Sequence, residues 1–320
     1  SIHVCQRNKC FLGHLFYTQT DLIKFMGDDP KLPPNIALLI SILAVSTASI
    51  LIRWTDAPPL AIASYRMLIS VAMLAPFFIK NNGLEKLREH GTGHILRLFA
   101  VGVVLAVHFA SWITSLSLTT VASSVIFVHI DPIFVAIVSH FFLGDKLTKR
   151  TTIGIIVSFI GISIIAMGDA NTGSSNLTGD LLALIGGVML GLYILGGRIY
   201  RKSLDLTTYV MPVYSAAALT LVAMSIVTGT SLLGYSARTF GFFFLIALIP
   251  MIFGHTLYNW ALRYLSAPVV SVSLLGEPVG ASLLAYLLLG ETPNSFAVFG
   301  GVVTLVGILL SAYRGNTTSD

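Results

Sequence analysis

The chain has 320 residues, of which 55% are hydrophobic and only 10% are charged, and its mean hydropathy is +0.86. A soluble domain carries about 25% charged residues, so this composition excludes a soluble globular protein, which would expose large apolar patches and aggregate. An outer-membrane β-barrel is excluded as well, because its strands alternate polar and apolar residues. We therefore expect an all-α membrane protein.

Residues 1–33 precede the first long apolar stretch and are predicted to form a cytoplasmic tail or a helix on the membrane surface. Phe11, Leu15 and Leu22 alternate there with polar residues, as in interfacial helices. Cys5 and Cys10 lie in the same segment, and in the cytosol we expect both to stay reduced. Two cysteines alone do not complete a metal site, so neither a metal ion nor another cofactor is expected.

Ten apolar stretches are long enough to cross a bilayer, which takes about 20 residues. They are residues 35–53, 60–79, 95–115, 120–143, 151–167, 179–197, 206–228, 240–262, 268–289 and 295–313. With the N-terminus inside, 16 of the 19 Lys and Arg residues fall on the inner side, and only Arg53 and Arg238 fall outside. This positive-inside bias predicts ten transmembrane helices with both termini in the cytoplasm.

The basic balance of the chain fits the same topology. The net charge of +5 and the pI near 9.2 place basic loops against anionic lipid headgroups, and no nucleic-acid partner is expected. We expect the plasma (inner) membrane of a bacterium or an archaeon, and an organelle membrane stays open.

The chain carries an internal repeat at an offset of 146 residues. The motifs that recur in register are Asp131-Pro132 and Glu277-Pro278, Leu143-Gly144-Asp145 and Leu289-Gly290-Glu291, Gly154 and Gly300, and Gly161 and Gly307. Because each copy contains five predicted spans, an odd number, the second copy must enter the membrane from the opposite side. The prediction is two inverted five-helix repeats around a central cavity, an architecture typical of secondary transporters.

The repeat also sets the predicted boundaries. The first repeat covers residues 34–167 and the second covers residues 180–313. Residues 168–179 between them are rich in Gly, Asn and Ser and contain no basic residue, which indicates an external linker. Residues 314–320 are expected to form a cytoplasmic tail.

Ten spans in two halves, Tyr65-Arg66 in the second span, and acid-proline motifs in the fourth and ninth spans resemble the EamA type of the drug/metabolite transporter superfamily. The resemblance extends over roughly residues 34–313. It implies a secondary transporter of small polar or amphipathic metabolites, often an exporter, that works by alternating access. Asp131 and Asp145 stand where the family more usually has glutamate, a departure that keeps the charge.

Asp131 and Glu277 are predicted near the middle of the fourth and ninth spans. An ionised, unpaired carboxylate at that depth costs at least about 2.5 kcal/mol, so each acid must be protonated, paired or exposed to water. Pro132 and Pro278 break the helix beside each acid, and broken helices at the midplane form binding sites in transporters. Two interpretations stay open. The acids titrate with a coupled proton or bind a cationic group, or they are satisfied by local structure.

Arg66 is the one basic residue well within a predicted span, and its guanidinium keeps its charge and needs a partner. One interpretation is an anchor for a substrate carboxylate or phosphate. The other is structural: an internal ion pair, with Asp131 as the candidate, or extension toward the headgroups. Arg66 lies near the outer end of its span, and the sequence favours the structural role.

The third and eighth spans are repeat mates that each carry a polar-aromatic face. His108 and Trp112 are four residues apart on one helix face, and His255, Tyr258 and Asn259 share another. We expect both faces to line the cavity, with hydrogen bonding between helices as the alternative.

Tyr193, in the glycine-rich sixth span, is predicted to reach the same cavity. Gly187 and Gly191 in that span form a GxxxG motif, which is typical of close helix packing. His129 lies two residues before Asp131 and so on a different helix face, and we interpret it as a packing or interface residue.

The leading hypothesis is a secondary active transporter of small metabolites such as amino acids, because a zwitterion could use both Arg66 and an acid. Nucleotide or sugar-phosphate derivatives and cationic drugs are the alternatives, and both proton coupling and exchange stay open. A membrane-embedded enzyme or a channel would be another class, but no catalytic motif, pore loop or filter is visible. The glycines of the fifth and tenth spans could pack within one chain or between two, which leaves monomer and homodimer open.

Overall fold

The computed structural model describes residues 32–119, 124, 127–144, 147–170, 177–289 and 295–312. In this part of the chain all regular secondary structure is helical. The helices of the first half are α1 (Pro34–Val45), α2 (Ala48–Trp54), α3 (Pro59–Lys80), α4 (Gly83–Glu89), α5 (Thr92–Leu118), α6 (Asp131–Val138) with the π-helical segment Ser139–Leu143, and α7 (Lys149–Ala170). The helices of the second half are α8 (Leu177–Tyr200), α9 (Leu206–Val227), α10 (Ala237–Ile246) with the π-helical segment Ala247–Thr256, α11 (Leu257–Ala261), α12 (Ala267–Leu274), α13 (Gly276–Leu289) and α14 (Ser295–Ala312).

Seven helical stretches in the described residues are long and apolar enough to cross a membrane. They are Pro34–Trp54, Pro59–Lys80, Thr92–Leu118, Leu177–Tyr200, Leu206–Val227, Ala237–Ala261 and Ala267–Leu288. The other three predicted spans contain α6, α7 and α14, and the first part of the fourth span lies largely outside the described residues. The protein is therefore an all-helical membrane protein with seven candidate spans.

The two halves of the chain pack into each other. Helix α9 of the second half packs against α3 and α5 of the first half, and α12 packs against α6. The π-helical segment Ala247–Thr256 packs against α1 and α3. As a result, side chains from both halves meet in one buried core, which includes Met67, Phe109, Tyr214 and Trp260.

Both acid-proline motifs lie in the first turn of a helix. Helix α6 begins at Asp131, and Pro132 follows in its first turn. Helix α12 ends at Leu274, and α13 begins with Glu277 in its first turn. Proline suits this position because the first N–H groups of a helix have no intrahelical partner, and the helix dipole favours a carboxylate there. The expected kink is thus a discontinuity just before each acid.

Glycines set the closest helix contacts. A Cβ atom on Gly187 would lie 2.5 Å from the carbonyl oxygen of Val128, so α8 touches the backbone ahead of α6. Helices α7 and α14 meet in the same way, with Gly154 against Gly307. The structure therefore packs the glycine faces of the fifth and tenth predicted spans together within one chain.

Candidate functional site

A small cavity lies where the two halves meet. Its volume is about 30 Å³, which is room for about two water molecules. It is lined by Val45, Ala48, Arg66, His108, Trp112, Val128, His129, Leu190, His255, Tyr258, Leu274 and Glu277. Six of the nine residues predicted to bind substrate or couple ions are in this lining: Arg66, His108, Trp112, His255, Tyr258 and Glu277.

Arg66 enters the cavity from α3 and is only 1% exposed. Its Nη2 atom donates a long hydrogen bond of 3.4 Å to the carbonyl oxygen of Pro250, inside the π-helical segment Ala247–Thr256. Pro250 removes one amide donor from that segment, and π-helical turns of this kind are frequent at functional sites. The guanidinium carbon lies 4.2 Å from the centroid of the Phe109 ring, within cation–π distance.

The structural interpretations of Arg66 are wrong in two respects. Its burial excludes extension toward the headgroups, and among the described residues no ion pair joins it to Asp131. The Nε and Nη1 atoms of Arg66 have no hydrogen-bond partner among the described residues. A permanent charge with two free donors beside a cavity is suited to binding an anionic group.

Asp131 is fully buried and lies behind the cavity lining. Its Oδ2 atom accepts a hydrogen bond from the hydroxyl of Ser271 on α12. Its Oδ1 atom lies 3.8 Å from Nδ1 of His129, and neither atom has a hydrogen-bond partner among the described residues. Asp131 therefore contacts both halves of the chain without facing the cavity.

His129 is the residue that the sequence interpretation missed. It lines the cavity and lies beside Asp131, so its predicted placement on a different face from Asp131 was wrong. The reason is local: His129 and Ile130 form a turn that precedes α6, so the helical spacing of side chains does not apply. The acid-proline motif, which predicted a break at this point, was the available signal.

Glu277 reaches the cavity from the first turn of α13. Among the described residues, no hydrogen bond or ion pair is formed by its carboxylate. Glu277 and Arg66 therefore bring a carboxyl group and a guanidinium group to one small space, from the second and first halves of the chain.

Aromatic and imidazole rings form the rest of the wall. The rings of His108 and Trp112 are stacked, with centroids 6.0 Å apart and an interplanar angle of 8°. Nδ1 of His108 lies 2.8 Å from the carbonyl oxygen of Gly186, and a carbonyl can only accept, so this nitrogen carries a proton. Nδ1 of His255 lies 2.7 Å from the hydroxyl of Tyr258. These bonds orient the rings at the cavity surface.

Tyr193 and Asn259 lie behind this wall, outside the lining that was predicted for them. The Nδ2 atom of Asn259 donates to the hydroxyl of Tyr193 at 2.8 Å and to the carbonyl oxygen of His255 at 2.6 Å. A Cβ atom on Gly197 would lie 2.7 Å from Oδ1 of Asn259, so the amide is wedged against α8. Both side chains support the wall and do not form its surface.

Within the described ranges, no group of three or more His, Cys, Asp or Glu residues is arranged to hold a metal ion. Cys5 and Cys10 lie outside those ranges. Among the described residues, the cavity lining therefore offers one guanidinium, one carboxyl group, three imidazoles, two aromatic rings and several aliphatic side chains.

The sequence profile of the EamA-like transporter family matches residues 32–167 and again residues 177–313. The chain belongs to the EamA-like transporter family. The drug/metabolite transporter resemblance is thereby confirmed, with one EamA domain in each half of the chain. The family is not enzymatic, so this EamA protein is a membrane transporter.

Relatives of this EamA transporter agree with that assignment. An uncharacterized transporter of Archaeoglobus fulgidus is 24% identical over 283 residues, which cover 87% of this chain and 96% of the relative. The uncharacterized transporter YyaM of Bacillus subtilis is 26% identical over 263 residues, which cover 79% of this chain and 84% of YyaM. A crystal structure of another protein shares the fold, with a TM-score of 0.74 at 16% identity over 87% of this chain and 97% of that chain.

Proposed function

We propose that this EamA transporter is a secondary active carrier of small zwitterionic metabolites, amino acids foremost, and that it works by alternating access in the export direction. The observation that carries the proposal is the buried Arg66, whose Nε and Nη1 atoms have no hydrogen-bond partner among the described residues and lie beside the cavity that Glu277 also lines. Both charges of a zwitterion would find a partner of opposite sign there.

The proposed architecture is ten transmembrane helices in two inverted repeats, with both termini in the cytoplasm of a cell bounded by the plasma (inner) membrane. The internal repeat and the distribution of basic residues support it. The antiparallel packing of α7 and α14, which are the last helices of the two repeats, supports the inversion. In a transporter built from two inverted repeats, the outward-open and inward-open states expose the same central site to opposite sides of the membrane.

The chemistry of the cavity supports a carboxylate at Arg66. Its two free guanidinium donors have a third nearby, because Nε1 of Trp112 also lines the cavity wall without a hydrogen-bond partner among the described residues. A bound ammonium group would be paired by Glu277. The stacked rings of His108 and Trp112 offer an apolar surface to the side chain of the substrate.

The size of the cavity implies movement. A volume of about 30 Å³ holds about two waters and no amino acid, so binding requires the surrounding helices to separate. The helix discontinuities before Asp131 and Glu277, together with the π-helical segment Ala247–Thr256, supply positions where helices can bend. The two halves would rock around them.

The alternatives make different demands on the same cavity. A sugar phosphate or nucleotide carries about two negative charges, and Arg66 is the one permanent cation among the described residues of the lining. A cationic drug would use Glu277 and the rings and would have no need of Arg66. Dependence on each charged residue therefore separates the three substrate classes.

The test is counterflow in proteoliposomes. Vesicles loaded with unlabelled glycine, threonine, glutamine or phenylalanine receive the tritiated compound outside, and we expect transient accumulation of at least one of them. Glu277→Gln and Arg66→Gln should abolish it. The matched control is Arg238→Gln, since Arg238 is exposed and lies over the ring of Phe242 at 5.8 Å.

Other outcomes would redirect the assignment. Accumulation of glucose phosphate and of no amino acid would establish the phosphate class. Accumulation of a quaternary ammonium dye that survives Arg66→Gln would establish the cationic class. Uptake without acceleration by internal substrate would indicate a channel.

A further inference from the structure

We infer that His129 and Asp131 together form a proton-carrying site that is separate from the substrate charges, with Glu277 reserved for the substrate. This inference rests on the proposed function, because it names the coupling ion of the same transporter. It is argued from the unequal surroundings of the two repeat-related acids.

The first step is the geometry around Asp131. Its Oδ1 atom and Nδ1 of His129 are buried, 3.8 Å apart, and lack hydrogen-bond partners among the described residues. This distance exceeds a hydrogen bond, so the two atoms are close neighbours that are not bonded to each other. A proton carried by either group is therefore held next to the other group, away from solvent.

The second step is access. Asp131 is fully buried and does not line the cavity, whereas His129 does. In this closed arrangement, a proton from the cavity can therefore reach Asp131 by way of His129. The helices packed against α6, namely α8 and α12, contribute the apolar Leu190 and Leu274 to the same lining.

The third step is the asymmetry of the repeat. At the offset of 146 residues, the mates of Asp131, His129 and Ser271 are Glu277, Leu275 and Val125. Leu275 and Val125 thus cannot supply the imidazole and the hydroxyl that their mates supply to Asp131, although His129 also lines the cavity beside Glu277. Glu277 faces the cavity from which Asp131 is withdrawn, so the two acids are equipped for different tasks.

The charge of the pair formed by His129 and Asp131 would act electrostatically on the substrate in the cavity. The other ionisable side chains that line the cavity are Arg66, His108, His255, Tyr258 and Glu277. The pair of His129 and Asp131 contributes to the net charge around the substrate together with these groups. Gain or loss of its proton changes that net charge by one unit, which links the proton to the cycle.

The first test needs no substrate. Infrared difference spectra of the full-length protein in detergent are recorded between acidic and alkaline buffers, and the carbonyl band of a protonated buried carboxyl is followed. We expect Asp131→Asn to remove a titrating band that Glu277→Gln leaves in place, and His129→Gln to move its midpoint. Ser271→Ala removes the hydroxyl that donates to Asp131 and keeps both His129 and Asp131, so it should shift the frequency of the carbonyl band. This variant provides the test if Asp131→Asn does not fold. Identical spectra for the wild type, His129→Gln and Ser271→Ala would overturn the inference.

The second test uses whichever tritiated amino acid the wild type exchanges. Asp131→Asn should retain exchange between equal internal and external concentrations but lose at least about tenfold of the accumulation driven by an imposed pH gradient. Glu277→Gln should lose both. Full gradient-driven accumulation by Asp131→Asn would contradict the proton site while leaving the proposed function intact. Absence of any exchange by the wild type would contradict the proposed function, and the infrared measurement would still decide the proton site.

Discussion

The hydroxyl of Ser158 donates a hydrogen bond of 3.2 Å to the backbone carbonyl oxygen of Thr304, a residue 146 positions later in the chain. This separation is the offset of the internal repeat, so the two residues are repeat mates in direct contact. Gly154 faces Gly307 on one side of this point, and Gly161 faces Gly300 on the other. Helices α7 and α14 are therefore antiparallel, and the contact of mates marks a local two-fold relation.

This contact predicts the effect of adding one methyl group. A Cβ atom on Gly161 would lie 2.5 Å from the backbone nitrogen of Thr304 and 2.7 Å from the carbonyl oxygen of Gly300. Backbone atoms cannot yield, so Gly161→Ala should lower the free energy of unfolding by about 1–3 kcal/mol. Gly301→Ala is the control, because its Cβ atom would lie 3.5 Å from Val279. Thermal unfolding in detergent measures both, and equal melting temperatures for the two variants would contradict the packing.

The planar guanidinium of Arg66, with its paired N–H donors, predicts that a positive charge alone is insufficient for substrate binding. Arg66→Lys keeps the cation but loses the planar donors and the stacking on Phe109. A hydrogen bond to a charged group contributes about 1.5–3 kcal/mol, so kcat/KM for an amino acid should fall at least about tenfold. Initial rates of uptake give this value. Arg238→Lys should transport at the wild-type rate, and an unimpaired Arg66→Lys would exclude bidentate binding.

The two tyrosines of the second half are expected to behave differently. The hydroxyl of Tyr258 bonds His255 at the cavity surface, whereas the hydroxyl of Tyr193 accepts from Asn259 behind it. Tyr258→Phe should therefore alter KM, since it frees the imidazole. Tyr193→Phe should cost about 1 kcal/mol of stability and leave KM unchanged. Transport kinetics and melting curves of both variants test the distinction, which a changed KM for Tyr193→Phe would refute.

An ion pair outside the spans predicts a stability that depends on pH. Asp205 caps α9 and accepts hydrogen bonds from Lys86 Nζ and from the backbone nitrogen of Thr208, each at 2.9 Å. Burial alone would raise the pKa of Asp205, but these bonds and those from the hydroxyls of Thr208 and Thr207 outweigh it and lower the pKa to about 2. The pKa of Asp205 in the folded protein lies below its unfolded value of about 3.9. The stabilisation of the fold by the Asp205 carboxylate is therefore fully present above pH values of about 3.9, and it is lost as the pH falls through about 2.

Asp205→Asn should accordingly destabilise the protein at neutral pH by about 1–2 kcal/mol, a value reduced for solvent screening of this partly exposed pair. The deficit should shrink as the pH falls below about 4. Melting curves at neutral and acidic pH measure it, with the exposed Asp56→Asn as control. A deficit that stays constant with pH would mean that the charge of Asp205 is not its source.

Much of the architecture follows from the sequence for identifiable reasons. Apolar length locates the helices, since every predicted span contains at least part of a described helix. The repeat offset identifies Gly154, Gly161 and their mates as contact faces. It does not reveal that the mates meet within one chain, because the same glycines could pack two chains together.

The candidate site was predicted less completely. The spacing of His108 and Trp112 places them on one face of α5, since regular helical geometry holds there. It fails for His129, which lies in a turn, and for Asn259, which packs against Gly197 of α8. The hydrogen-bond partner of Arg66 is the carbonyl oxygen of Pro250 within a π-helical segment, and such a segment has no sequence period that would predict it.

The most direct test of zwitterion binding at Arg66 and Glu277 pairs each variant with a matching change in the substrate. The affinities of the purified wild type and of Arg66→Gln for an amino acid and for its amide, which lacks the carboxylate, are measured by ligand-dependent thermal stabilisation in detergent. If the carboxylate binds Arg66, loss of the carboxylate weakens binding to the wild type and has no further effect in Arg66→Gln. The N-acetyl amino acid should behave in the same way toward Glu277→Gln. If the loss of affinity from the variant and the loss from the altered substrate simply add, for either pair of variant and substrate, the proposed site is contradicted.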